Sequence, residues 1–143
     1  YTQDNHPQKY KIDFKISDGS FLLNGDAEKL YEAVTHLLDN AIKYSCIENK
    51  CGIIKMELGR KGDEAVLSVS DNGIGISKSD QKYIAEKFFQ AKRFDATTPV
   101  EQQGSGLALY ITRRTVEMHH GRIWLDSASG KGTTFYISLP LSK

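Results

Sequence analysis

The sequence predicts an α+β fold, a two-layer α/β sandwich in which a mixed, mostly antiparallel sheet is covered by helices on one face. Strand-like segments outnumber helical ones, and nearly all neighbouring strands are joined by turn-like stretches short enough for hairpins. Two long helical periodicities each carry one apolar side. The 143 residues, 39% of them hydrophobic, make one domain, 1–143. A chain of that length buries about two-thirds of the surface its unfolded form exposes, without disulfides or a structural metal. No internal repeat, low-complexity stretch or apolar run near ~18 residues is present, and the opening Tyr1 to Lys11 is polar, unlike a targeting segment. A start at Tyr1 with a strand inside ten residues is expected of a piece of a longer protein.

Taken in order, Tyr10, Ile12, Phe14 and Ile16 alternate with Lys11, Asp13 and Lys15, the period of a half-buried strand. Asp18-Gly19 turns the chain, and Ser20 to Asn24 is expected to pair back as a short second strand. Leu30, Ala33, Val34, Leu37, Leu38, Ala41 and Ile42 then recur on one helical face, with Asp26 as N-cap. Ser45 to Gly52 ends that helix. Ile53 to Leu58 and Ala65 to Ser70 form a hairpin across Gly59 to Asp63. Asp71-Asn72-Gly73-Ile74-Gly75-Ile76 leaves the second strand, and Ser77, supported by Asp80, caps a short helix with Tyr83, Ile84, Lys87 and Phe88 on one face. Gln90 to Gln103 has no periodicity and suits a lid, at about 90–105. Leu107 to His119 reads as a second long helix with Leu107, Tyr110, Ile111 and Met118 on one side and Gly121 as its stop. Arg122 to Ser127 and Thr133 to Leu139 close the sheet, flanking Ser129-Gly130-Lys131-Gly132, and Pro140 ends it.

Nineteen Lys and Arg against eighteen Asp and Glu leave a formal charge of +1. Such a chain has no electrostatic footprint for nucleic acid or an anionic membrane, so any anion must be held locally. Cys46 and Cys51 lack the further ligands a zinc site needs and read as free thiols of a reducing compartment. Six of the twelve glycines fall in three G-x-G pairs, Gly73/Gly75, Gly104/Gly106 and Gly130/Gly132.

Each pair alone is explained by turns and helix stops, and Gly130/Gly132 is a good hairpin turn. Their order is more specific: a helix bearing Asn40, a strand ending in Asp71-x-Gly73-x-Gly75, a lid-like loop, then Gly104-Ser105-Gly106 opening a helix. Glycines before a helix let backbone N–H groups meet phosphate, where the helix terminus adds favourable charge. The spacing is neither a P-loop nor a Rossmann fingerprint. An Asn amide oxygen can ligate Mg²⁺ while phosphates and water fill the other positions, against the alternative of a surface Asn40. A strand-end aspartate can accept from an exocyclic amine such as adenine's, against the alternative of an Asx-turn at Asp71.

His36-Leu37-Leu38-Asp39-Asn40-Ala41-Ile42-Lys43-Tyr44-Ser45 resembles the N box of sensor histidine kinases, and Asp71 to Ile76 resembles their first glycine box. Phe88-Phe89-Gln90 is similar to the F box, Gly104-Ser105-Gly106-Leu107-Ala108-Leu109 to the second glycine box, and Gly130-Lys131-Gly132-Thr133-Thr134-Phe135 to the closing glycine-threonine motif. The resemblance covers essentially the whole chain and implies a Bergerat-type ATP-binding sandwich, the catalytic domain of a two-component kinase. It implies ATP and Mg²⁺, with Asn40 holding the metal, Lys43 reaching the phosphates and Tyr44 near ribose or base. Asp71 would read the adenine amine beside Gly73, Gly75 and Ile76. Lys92 and Arg93 would meet the γ-phosphate, Gly104, Ser105, Gly106 and Leu107 would form the phosphate turn, and Thr133 would make a water-linked contact to Asp71 and adenine.

Two positions depart from the family pattern. Ala108 replaces a third glycine and, inside a helix, stiffens its start. His36 replaces the usual first Asn of the N box, as in chemotaxis kinases, and is a candidate to orient or accept a proton, or else a histidine packed at the helix edge. Gyrase B, MutL and heat-shock ATPases of this superfold carry a water-activating glutamate where His36 stands, so hydrolysis should be slow. An anti-sigma serine kinase or a non-enzymatic binding module are further alternatives. The phosphorylated histidine of the family lies on a dimerisation hairpin, and none of His6, His36, His119 and His120 is followed by a carboxylate. The resemblance therefore implies a protein-histidine kinase domain that does not autophosphorylate alone. Its partners would be the parent's histidine-containing dimerisation domain and, through the parent, a response regulator receiver domain. It would work in the cytoplasm, without touching nucleic acid or membrane, whether or not the parent is membrane-anchored.

Overall fold

The computed structural model describes residues 10–45, 52–79, 81–82, 100–128 and 130–142. Five strands, β1 (Tyr10–Ile16), β2 (Gly52–Lys61), β3 (Glu64–Asp71), β4 (Arg122–Ser127) and β5 (Thr133–Pro140), lie in the order β1-β2-β3-β5-β4. The pairs β2/β3, β3/β5 and β4/β5 are antiparallel and β1/β2 is parallel, so the sheet is mixed and mostly antiparallel as expected. Two helices, α1 (Ala27–Ser45) and α2 (Val100–Met118), cover one face, α1 over β2 and β3 and α2 over β4 and β5. Among the described residues no helix is long and apolar enough to cross a membrane.

Alternation along the strands delivers one apolar set to the helices: Ile54 and Met56 from β2, Val69 from β3, Phe135 and Ile137 from β5. Leu37, Ala41 and Ile42 of α1 meet them, with Leu109 and Val116 of α2. Leu37, Ile54 and Val116 are fully buried. Asp26 caps α1 as its chemistry demands: its Oδ1 accepts from the Lys29 N–H at 3.1 Å.

Several sequence expectations fail for identifiable reasons. Residues 20–24 form no strand, and the partner of β1 is β2, far away in sequence. Tyr10, Ile12, Phe14 and Ile16 are in register with Gly52, Ile54, Met56 and Leu58, yet stay 40–55% exposed, because β1 is an edge strand and α1 lies over β2 and β3. The β2–β3 loop is the two residues Gly62-Asp63, not five, since Gly62 supplies the positive φ of 62° that so tight a hairpin favours. Helix α2 begins at Val100, directly after Pro99, as Glu101, Gln102 and Gln103 are good helix formers. Its buried side is Leu109, Thr112, Thr115 and Val116, while Ile111 and Met118 are exposed. Reading bulk in preference to period misassigned that face, which uses threonines to bring α1 close.

The end of the sheet bearing Lys61, Glu64, Pro140 and Arg122 is closed by hydrogen bonds. Ser142 N–H donates to the Leu22 carbonyl at 2.7 Å and Leu141 N–H to that of Asp63 at 2.8 Å. His119 locks both helices there. Its Nδ1 lies 2.7 Å from the Thr115 carbonyl, which can only accept, so Nδ1 carries the proton and Nε2 accepts the Asp26 N–H at 2.9 Å. Gly25 passes over the ring so closely that a Cβ would lie 2.3 Å from His119 Cδ2. α2 ends in a Schellman arrangement, with Gly121 N–H on the Val116 carbonyl and His120 N–H on that of Glu117, both at 2.9 Å. The left-handed residue is His120 (φ 64°), not Gly121. Gly121 is needed for a different reason: a Cβ there would sit 2.1 Å from the Ser138 carbonyl oxygen. Replacing His119 by Ala should lower the unfolding free energy by about 1–3 kcal/mol, because the Asp26 N–H loses its partner and the Thr115 carbonyl keeps only the residue-119 backbone N–H at 3.2 Å, whereas Met118→Ala stays within about 0.5 kcal/mol. Urea unfolding midpoints at unchanged slope measure both.

Candidate functional site

Chain direction gathers the candidate residues. α1 starts at the closed end of the sheet and, at 19 residues, is about 28 Å long, so its last turns reach the other end. α2 runs the opposite way and starts there. β3 ends at that same end with Asp71, β5 begins with Thr133 and β4 ends with Ser127, in register as Asp71↔Thr133 and Ser127↔Thr133. Asn40, Lys43 and Tyr44, the loop from Asp71 to Ile76, the first turns of α2 and Thr133 therefore share one end of the molecule.

Asp71 is half-buried and carries two partners. Gly73 N–H donates to its Oδ1 at 2.9 Å, the Asx-turn of the alternative reading, and the Thr133 backbone N–H donates to the same carboxylate. Burial outweighs both donors and holds the carboxyl above its ordinary value of 3.8. Asn72 is structural: its Oδ1 accepts the Ile53 N–H at 2.8 Å and its N–H reaches the Ile53 carbonyl at 3.2 Å, extending the β2/β3 ladder by one residue.

The loop after Asp71 is fastened to the β4–β5 connection. Gly75 (φ 73°) approaches so closely that a Cβ would lie 1.9 Å from the Ala128 carbonyl oxygen, and Gly130 N–H donates to the Ile74 carbonyl at 2.6 Å. Gly132 (φ 83°) likewise leaves no room, its Cβ falling 2.0 Å from the Asp71 carbonyl oxygen, so this glycine is more than a hairpin turn. Ser127, which the sequence reading passed over, is the hub. Its Oγ accepts the Ile76 N–H at 2.8 Å, donates to the Gly132 carbonyl at 2.9 Å and lies 2.7 Å from Thr133 Oγ1. Gln81 Nε2 bridges the Ile76 and Ser127 carbonyls at 2.7 and 2.9 Å. The inward alternation Ile123, Leu125, Ser127, ending opposite Thr133, was the available signal.

On α1, Asn40 is half-buried and Lys43, one turn on, is exposed, while Tyr44 lies in the last turn. Among the described residues no group of three or more His, Cys, Asp or Glu can hold a metal ion. A lone amide such as Asn40 fits Mg²⁺ only when phosphate and water complete the octahedron. His36, half-buried, turns Nδ1 toward Thr112 Oγ1 at 3.2 Å, joining α1 to α2. Gly104, Ser105, Gly106 and Leu107 do not precede α2; they lie in its second turn, so the N–H groups free of intrahelical partners belong to residues 100–102. Lys92, Arg93 and most of the expected lid lie outside the described residues, as do Phe88 to Gln90, Cys46 and Cys51, and residues 100–103 of that lid are helical. A separate cleft of about 290 Å³, lined by Lys15, Glu57, Arg60 and Tyr136 among others, sits near the closed end of the sheet, away from this site.

The raised carboxyl has a consequence for stability. Folded Asp71 holds its proton to higher pH than the unfolded chain, so in the window just above 3.8 the folded state binds more protons and loses stability as pH rises. Asp71→Asn, which keeps an oxygen for Gly73 N–H, should remove that slope, and urea unfolding of both proteins across the window checks it.

Residues 25–143 match the family described as histidine kinase-, DNA gyrase B-, and HSP90-like ATPase. The circadian input-output histidine kinase CikA of Synechococcus elongatus is 33% identical over 129 residues, 90% of this chain and 16% of that protein. The sensor histidine kinase WalK of Bacillus subtilis is 32% identical over 125 residues, 87% of this chain and 20% of its own length. The chain thus spans about a fifth or less of these two relatives. Among solved structures, the mycobacterial sensor histidine kinase MprB superposes with a TM-score of 0.67 at 30% identity, covering 91% of this chain and 82% of that one. The catalytic domain of the histidine kinase ThkA shares the fold, with a TM-score of 0.70 at 24% identity over 92% of this chain and 79% of that one. With Asn40, Asp71 and Thr133 drawn to one end of such a sandwich, the chain belongs to the histidine kinase-, DNA gyrase B- and HSP90-like ATPase family, as a catalytic and ATP-binding domain of the sensor histidine kinase type.

Proposed function

We propose that this domain binds Mg-ATP at the open end of its sheet and donates the γ-phosphate to a histidine on a separate dimerisation domain of its parent, for onward transfer to a response regulator receiver domain in the cytoplasm. The observation that carries the reading is the half-buried Asp71 carboxylate, in register with Thr133, at the same end as Asn40 and Lys43. Each group has a physical task. Asp71 accepts from the adenine amine, with Thr133 linked through water and Gly73, Gly75 and Ile76 beside the base. Tyr44 packs near the ribose or base. Asn40 holds Mg²⁺, which neutralises phosphate charge when bound, and Lys43 adds a cation one helical turn further on. Lys92 and Arg93 serve the γ-phosphate, and the free N–H groups at the start of α2, one turn before Gly104, Ser105, Gly106 and Leu107, complete the anion site. His36, oriented by Thr112, accepts a proton during transfer. A hydrolytic ATPase is the weaker reading, because an imidazole bonded to Thr112 stands where a carboxylate would activate water.

Titrating ATP with and without Mg²⁺ tests the central assignment. The wild-type chain should gain affinity with Mg²⁺, and Asn40→Ala should lose that gain by about tenfold or more, the value of one charge-assisted ligand contact; an undiminished gain in the variant removes Asn40 as metal ligand. Incubated with ATP, the isolated chain should acquire no phosphohistidine, and should phosphorylate a histidine-bearing helical hairpin supplied separately but not a serine partner. Stable phosphohistidine on the chain alone would contradict the assignment of the acceptor to another domain.

A further inference from the structure

We infer that Ser127 is a positioning residue for nucleobase choice: it fixes the hydroxyl proton of Thr133, turning Thr133 into a group that only accepts hydrogen bonds at the edge where Asp71 meets the base. The inference rests on the reading of this end of the sheet as the adenine site and goes beyond it to a residue that does not touch the nucleotide.

Proton counting fixes which hydroxyl donates. A serine hydroxyl has one proton and two lone pairs. Ser127 Oγ lies 2.9 Å from the Gly132 carbonyl, which can only accept, so that contact consumes the Ser127 proton. The Ile76 N–H, at 2.8 Å, occupies one lone pair. The remaining contact, 2.7 Å to Thr133 Oγ1, then has one polarity that satisfies every partner: Thr133 donates and Ser127 accepts. Ser127 is thereby saturated with one donated and two accepted bonds. Thr133, 7% exposed, has spent its proton sideways along the sheet and keeps only lone pairs. Its backbone N–H is committed as well, to the Asp71 carboxylate. Asp71, Thr133 and Ser127 occupy one row on the helix side of three adjacent strands, β3, β5 and β4. Across that row Asp71 and Thr133 both present acceptors, and a water linking them spends both of its protons on them, so what faces the base accepts: the complement of an amine and the wrong polarity for a carbonyl. Gln81 Nε2 on the Ser127 carbonyl keeps the row in place without entering it.

The test compares equilibrium binding of ATP with that of inosine triphosphate, which carries a carbonyl in place of the amine. Wild type should prefer ATP. Ser127→Ala frees the Thr133 hydroxyl to rotate and donate to the linking water, which then has a proton for the carbonyl, so the ATP/ITP affinity ratio should fall about tenfold, the scale of one hydrogen bond gained and one mismatch relieved. Ser127→Thr, which keeps the hydroxyl on a strand position tolerant of β-branching, should restore the ratio. In a Thr133→Val background the Ser127→Ala change should leave the ratio where Thr133→Val alone puts it. Should Ser127→Ala not fold, Ser127→Cys, with similar volume and a weak donor and acceptor, should lower the ratio in the same direction. Equal losses for both nucleotides in the Ser127 variants, or an effect that persists without the Thr133 hydroxyl, would mean a purely structural role and overturn the inference. A wild-type chain that binds neither nucleotide overturns the base-site reading together with it, whereas a clear ATP preference that the Ser127 variants leave unmoved overturns the inference alone.

Discussion

The register of β3 against β5 is the constraint on which the rest of the structure depends. From Glu64↔Pro140 to Asp71↔Thr133 the two central strands pair residue for residue, and a slip of one would turn every side chain to the opposite face. The same register that puts Val69 beside Phe135 and Leu67 beside Ile137 under the helices puts Asp71 beside Thr133 at the strand ends. Core and site are therefore specified by one set of hydrogen bonds. Gly132 enforces the register at its last step, because its missing side chain lets the backbone come up against the Asp71 carbonyl.

The two ends of the sheet are then put to different uses. At one, His119 holds the Asp26 amide and the Thr115 carbonyl with its two ring nitrogens, joining the start of α1 to the end of α2, while Leu141 and Ser142 fasten the chain to Asp63 and Leu22. Midway along, His36 of α1 meets Thr112 of α2, and at the other end the strand ends carry carboxylate and hydroxyl groups in place of apolar ones. Rigid fixation at a distance and polar groups at the mouth are what a pocket for a charged ligand requires: the scaffold keeps its shape while the mouth stays wet enough for ionised groups.

How much of this was legible in the sequence depended on the range of the interactions. α1, with its seven apolar positions and its Asp26 cap, was readable because period and cap are local. So were β4 and β5, and the placement of Asn40, Asp71 and Thr133 on their elements. The parallel pairing of β1 with β2 was not, since it joins segments more than thirty residues apart and the nearby Asp18-Gly19 offers a plausible but unused hairpin. Nor was the face of α2: Thr112 and Thr115 look like surface residues until a second helix is brought against them. Ser127 was missed for the same reason. Nothing in a lone serine at a strand end announces three partners, because all three come from the chain around the site, at Ile76, Gly132 and Thr133.

The glycine box within α2 separates what a motif says from where its backbone lies. Gly104 and Gly106 each cost about 1 kcal/mol relative to alanine inside a helix, and here both are inside. Glycine brings no side chain to packing or to hydrogen bonding there; what it brings is access to the backbone. The same reasoning accounts for the nearly neutral composition. With a formal charge of +1, a phosphate-binding function cannot rest on a basic surface and must use oriented N–H groups and a few well-placed cations. In α2 the free N–H groups stand one turn ahead of the two glycines, so on the proposed reading the helix carries its two weak positions beside the backbone that meets the anion.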